Sequence, residues 1–125
     1  MTSLLGNTRK SDVIFHNNGK IDISARITKQ LTLHEGDVID ILLHEGEFML
    51  YVKLRRDDKI GRHEAECHST KKGKTQGNNM RAYSARLTKI LLDACRTNDV
   101  ARLPAGEVVE TPYGRAVCLI TNNPL

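Results

Sequence analysis

Four cations stand at matching places in a duplicated phrase: Arg26 and Lys29 within SARITKQL, residues 24–31, and Arg86 and Lys89 within SARLTKIL, residues 84–91. On a helix, residues three apart share a side, so each copy is expected to present a ridge of two cations. Such ridges suit docking on phosphates, or are an exposed helix face inherited by duplication without use. A further cation, Lys20, directly follows the turn sequence Asn17-Asn18-Gly19. A lysine at a hairpin tip reaches a phosphate or a base edge, and a two-stranded ribbon fits the major groove of B-DNA. Lysine mostly positions, whereas Asn and Gln carry paired donors and acceptors. Asn17 and Asn18 at the first tip, and Gln76, Asn78 and Asn79 in the second half, are therefore the candidates for base edges, although Asn18-Gly19 also suits a turn by itself. Lys71, Lys72, Lys74 and Arg81 complete the set, although the loop from Lys71 to Asn79 also reads as simply solvated or disordered. The chemistry is recognition of a polyanion, and double-stranded DNA is the expected partner.

Catalytic chemistry finds little footing. His63-Glu-Ala-Glu-Cys-His68 holds metal-ligand residue types, but its histidines are five apart and not at the i, i+4 spacing that points two imidazoles at one zinc. On a strand, His63 and Cys67 would face one way and His68 the other. Nothing beside Cys95 argues for an activated nucleophile, and the chain has no Gly-rich phosphate loop. The expectation is a protein that is not an enzyme, with no cofactor, no metal and no small-molecule substrate.

Charge placement agrees with an anionic partner. Residues 53–82 carry nine basic and four acidic side chains, a local balance of +5 in a chain of net charge +4. A basic middle thus joins two nearly neutral halves, as a polyanion-binding surface or as a solvated connector. Cys67, Cys95 and Cys118 are an odd number, widely spaced and without a C-x-x-C pair, which fits reduced thiols. The start, MTSLLGNTRKSD, lacks a secretory apolar run, and no window approaches the roughly 20 apolar residues of a membrane span. The expected location is cytoplasmic, away from membranes.

The elements that must carry these residues repeat too. Asp12–His16, the Asn-Gly turn and Lys20–Ser24 read as a hairpin. Ala25–Leu33 reads as a short helix capped by Ser24. A turn at 34–37, a strand at 38–43, a turn at 44–47 and a strand at 48–52 follow. The second half repeats this order with looser joints: a strand at 64–68, a loop at 71–79, a strand at 80–84, a helix at 85–94, a turn at 97–99 and a strand at 100–103. A loop holding Pro104, Gly106 and Pro112 then leads to a last strand at 115–120. Two copies are too few for a solenoid and instead suggest a pseudo-dimer, in which each unit buries its apolar face against its twin. With 125 residues and no Trp, one domain cored by Ile, Leu and Val is expected.

The run from Gly19 to Leu42, GKIDISARITKQLTLHEGDVIDIL, resembles the AbrB/SpoVT/MazE swapped-hairpin family, whose members show a glycine and basic residue, an alternating strand, a short helix, Gly-Asp and a further strand. The tandem arrangement is similar to that of the MraZ transcriptional regulators. The resemblance spans residues 11–121 and is closer in the first unit. It implies a mostly β, α+β fold: a swapped-hairpin β-barrel from two fused pseudo-repeats, each with one short helix. It further implies sequence-specific DNA binding, association of chains into a homo-oligomer, and cationic roles for Lys20 on the hairpin and Lys29 on the helix.

The sequence departs from that pattern at identifiable places. Ser24 and Ser84 stand where the family usually has Pro, and the acidic-x-x-Gly-basic hairpin becomes His16-Asn-Asn-Gly-Lys20. In the second unit the cation position falls on Met80, which is expected to leave Arg81 on the opposite face. The resulting organisation is one domain, 1–125, with pseudo-repeat one at 11–53, a basic connector at 54–62 and pseudo-repeat two at 63–121. The functional expectation is a DNA-binding transcriptional regulator. A non-catalytic oligomeric assembly module that kept the barrel and lost DNA binding is the alternative, and a MazE-like antitoxin a second one.

Overall fold

In a computed structural model, which describes residues 11–54, 64–70 and 79–121, the duplicated phrase begins both helices in one way. Ser24 Oγ accepts from the backbone N–H of Ile27 at 3.3 Å and Ser84 Oγ from that of Leu87 at 3.1 Å, satisfying one of the first-turn donors that a helix leaves unpaired. Helix α1 is Ala25–Gln30 and α2 is Ala85–Ala94. Both close alike, through a left-handed residue (Thr32, φ 52°; Arg96, φ 56°) and a bond from the next N–H back to a carbonyl, Leu33 to Thr28 and Thr97 to Leu92. This closure ends α1 at Gln30, where a helix reaching Leu33 was expected, because Thr32 turns the backbone out of the helical region.

Among the described residues, ten strands accompany the helices. The first unit supplies β1 (Val13–His16), β2 (Lys20–Ile23), β3 (Val38–His44) and β4 (Glu47–Leu54). The second supplies β5 (Ala65–Glu66), β6 (His68–Ser69), β7 (Met80–Tyr83), β8 (Val100–Leu103), β9 (Ala105–Thr111) and β10 (Gly114–Leu119). The hairpin between β1 and β2 forms as its Asn-Gly turn requires: Gly19 has φ 93°, its N–H donates to the His16 carbonyl, and Asn18 Oδ1 accepts from Lys20 N–H.

Two antiparallel sheets result, ordered β6-β7-β2-β1-β8 and β5-β3-β4-β10-β9. Half of the pairings cross between units: β1 with β8, β3 with β5, β2 with β7 and β4 with β10. Exchanging the units carries this set onto itself, the strand-level form of a pseudo-twofold. Among the described residues the ladders make two separate sheets and not one closed cylinder.

Two runs of chain pass from one sheet to the other by bending. One bends at Cys67, whose N–H donates to the Asp37 carbonyl (2.7 Å) and whose carbonyl accepts from Gly36 N–H (2.8 Å). The other bends at Pro104, which has no N–H to lose from a ladder. These bends correct two expectations. The strand at 64–68 divides into β5 and β6, and the loop at 104–112 is largely β9, because proline sits at the corner and its successors resume pairing.

The core draws on both units: Phe15, Ile21, Ile27 and Leu50 from the first, and Leu91, Leu103, Val117 and Leu119 from the second, are all 2 % exposed or less. Leu87, Leu91 and Leu92 seat α2 across β1, β2 and β8. Each half would expose much of this surface alone, and burial at about 25 cal/mol per Å² makes their union favourable. Among the described residues no helix is long and apolar enough to cross a membrane.

Candidate functional site

The crossed pairing places the tip of the first hairpin against the start of α2, and Asn79, just before β7, against the start of α1. At one junction the Gly19 carbonyl accepts from Ser84 N–H at 2.9 Å, and a Cβ on Gly19 would lie 3.5 Å from Ala85 N. At the other, Asn79 Oδ1 accepts from Ala25 N–H at 2.9 Å. An open cleft lies at each. The first, at the Asn79–Ala25 junction, is lined by Asp12, Ile14, Asp22, Arg26, Asn79 and Arg81, and the second, at the Gly19–Ser84 junction, by Asn18, Asp40, Lys53, Glu64, Tyr83 and Arg86.

Between the clefts runs the outward face of β2 and β7. Ile21, Ile23, Met80 and Ala82 point into the core, so alternation turns Lys20, Asp22, Arg81 and Tyr83 outward. The expectation that Arg81 faces away from the side used by Lys20 is thereby corrected. The register pairs Lys20 with Tyr83 and Asp22 with Arg81, which puts Arg81 beside Lys20 and buries Met80. A lateral row crosses all five strands of this sheet: His68, Arg81, Asp22, Ile14 and Arg102.

Asp22 organises the row. Its Oδ1 accepts from Arg81 Nε at 2.8 Å, and its Oδ2 lies 2.9 Å from His16 Nε2. Partial burial pushes its carboxyl up, but the hydrogen bonds from Arg81 and His16, with the charges of Arg81 and Lys20, outweigh that and hold it below the ordinary value. The same bond pushes the Arg81 guanidinium up. Arg81 is therefore charged and held in place.

Arg26 is more firmly held. Its Nε and Nη2 both lie 3.1 Å from the Asp12 carboxylate, and Nη2 also donates to the Ala105 carbonyl at 3.1 Å. The bidentate geometry raises its pKa. The remaining helix cations are exposed. Lys29 lies in the last turn of α1, Arg86 in the first turn of α2, and Lys89 beyond it, 3.8 Å from Asp93. The expected ridge of two cations is thus present on α2, while on α1 one of its members is turned to an internal acid.

The asparagines divide similarly. Asn79 caps α1 and Asn18 closes its own turn, whereas Asn17 is exposed and donates to the Asn98 carbonyl at 3.3 Å. Lys71, Lys72, Lys74, Gln76 and Asn78 lie outside the described residues, as do residues 55–62 of the basic connector and His63.

Three residues on these surfaces escaped sequence reasoning. Arg102 is exposed on β8, and only the pairing of β8 with β1 brings it into the row. Tyr83, 58 % exposed, stands opposite Lys20; strand alternation was the signal that could have found it. Lys53, bonded to Glu64 at 3.0 and 3.2 Å, enters the second cleft through β4.

Elsewhere, Glu35 hydrogen-bonds both His68 Nδ1 and the Ser69 N–H, tying the first unit's turn to β6. No group of three or more His, Cys, Asp or Glu able to hold a metal ion occurs among the described residues. Burial pushes the Cys67 thiol up to about 12, far from a reactive thiolate. No protein-family model, curated protein or solved structure matches the chain.

Proposed function

We propose that this chain is a DNA-binding transcriptional regulator of the AbrB/MraZ type, and that its two sheets are the walls of a swapped-hairpin barrel. The barrel reading is supported by the unit-exchanging pairings and by the two runs that change sheet at Cys67 and Pro104. The observation that carries the functional reading is the outward face of β2 and β7, flanked by a hairpin–helix junction on each side. Lys20 and Arg81 lie on that face, Arg102 lies farther along the row, and Lys29, Arg86 and Lys89 stand on the flanking helices.

Arg81 and Arg102 are three strand spacings apart, roughly 14 Å, which compares with a major groove about 12 Å wide. Phosphates would be met by Lys20, Lys29, Lys89 and Arg86, and base edges by Asn17 and the first hairpin tip. Asp22 keeps Arg81 and His16 from folding away. A cytoplasmic location and further association of chains belong to the same reading. The alternative, an assembly module, draws on exposed Val109 and Tyr113 on the hairpin of β9 and β10.

A titration of random-sequence duplex DNA by fluorescence anisotropy at two salt concentrations, beside a light-scattering mass, tests both. Binding should weaken with a log–log slope near −0.9 per phosphate neutralised. Lys20→Glu with Lys29→Glu should abolish it while changing stability by no more than about 0.5 kcal/mol, as exposed substitutions do. No binding at low salt with a multimeric mass refutes the regulator in favour of the assembly module.

A further inference from the structure

Each unit's first strand is directly preceded by an acid, Asp12 before Val13 and Glu64 before Ala65, and each acid lies in the cleft that holds its own unit's helix arginine. The two acids are spent differently. Asp12, 6 % exposed, takes Arg26 in a bidentate pair and also accepts the Ala105 N–H at 2.7 Å. Arg26 returns to the Ala105 carbonyl, so acid and base together grip the residue just past the bend at Pro104. Glu64 is instead occupied by Lys53 through both carboxylate oxygens. Among the described residues the Arg86 guanidinium has no ion pair, and its side chain is exposed.

We propose that the duplicated arginines have divided their labour: Arg26 is a positioning residue that clasps the second unit's strand at its bend, and Arg86 is the copy that meets a DNA phosphate. This rests on the DNA-binding reading. A duplication alone would leave two equivalent contacts about the pseudo-twofold. Here the neighbour of each acid decides, because a lysine on β4 draws off Glu64 while Asp12 holds its own unit's arginine. Binding is therefore lopsided, and Arg86, Lys89 and the first hairpin tip contribute a larger share of contacts than Arg26 does.

Arg26→Gln, Arg26→Lys, Arg86→Gln and Arg86→Lys, each melted and titrated with duplex DNA over a salt series, test this. Arg26→Gln should melt several degrees lower with an unchanged salt slope, and Arg26→Lys should recover part of the loss. Arg86→Gln should melt within about a degree of the parent and lower the slope by about 0.9, which at 0.1 M salt corresponds to roughly eightfold weaker binding. Arg86→Lys should keep the slope. Equal slope losses in the two glutamine variants overturn the division, as does an unchanged slope in Arg86→Gln while the parent binds. If the parent binds no DNA at any salt, the regulator reading fails and the role of Arg86 falls with it; the melting comparison then judges the clasp by itself.

Discussion

Replacing Asp12 by Ala should be among the most damaging single changes of a polar side chain in this protein. The carboxylate is nearly buried and accepts from Arg26 and from the N–H of Ala105, a residue with no exposed surface. Arg26 has 46 % of its side chain exposed, so water screens its half of the pair, and loss of that half costs on the order of 1 kcal/mol. The Ala105 N–H lies away from water, and a buried donor that loses its acceptor costs about 1–3 kcal/mol. Together the loss is roughly 3 kcal/mol.

With an unfolding entropy of about 2.1 cal/mol/K per residue over 125 residues, that lowers Tm by about 11 °C. Asp12→Asn retains an acceptor for Ala105 and loses only the charge, so a drop of about 4 °C is expected on the same conversion. Thermal melts followed by circular dichroism, with urea titrations to check that the m-value is constant, supply the measurement. An Asp12→Ala protein melting within about 3 °C of the parent would refute the assignment. Asp12→Asn falling as far as Asp12→Ala would show that the charge matters and the Ala105 donor does not.

Two further outcomes are expected. Asp22 and Glu35 are both held below their ordinary values, Asp22 by its partners against the opposing effect of burial and Glu35 chiefly by the Ser69 N–H. A lowered folded pKa gives stability that is complete above the unfolded value, 3.8 for Asp22 and 4.5 for Glu35, and is lost as pH falls through the folded one. Tm should therefore fall on acidification below those values, and Asp22→Asn should flatten the decline; parallel curves for parent and variant would contradict this. Cys67 has no exposed surface and a thiol pushed up to about 12, so iodoacetamide at pH 8 should leave it unmodified in the native protein and alkylate it in urea, read by mass spectrometry of peptides. Native labelling of Cys67 at the rate of partly exposed Cys95 would show that the bend opens.

Local structure was written largely in short-range chemistry. Ser24 and Ser84 announce their helices because a hydroxyl there meets the third N–H onward, and Asn18-Gly19 announces its hairpin because few residues accept a positive φ. These signals sufficed for a mostly β chain with two helices. What stayed hidden depends on partners far apart in sequence. Proline and glycine near residue 105 read as a loop, yet β10 supplies a ladder for that segment and Asp12 supplies an acceptor from 93 positions away.

The candidate surface divides in the same manner. Residue types and spacing along the chain were enough to single out half-buried Lys20 and exposed Lys29, Arg86 and Lys89, because cations at helix and turn positions follow from local periodicity. The sharing of a face by Arg81 and Lys20, the entry of Arg102 into their row, and the engagement of Arg26 but not Arg86 all follow from strand register and from which acid lies near which base. Register is a property of the assembled sheet: a one-residue shift reverses every side chain. Two nearly identical phrases therefore differ in the contacts of their arginines only because of how the units pair.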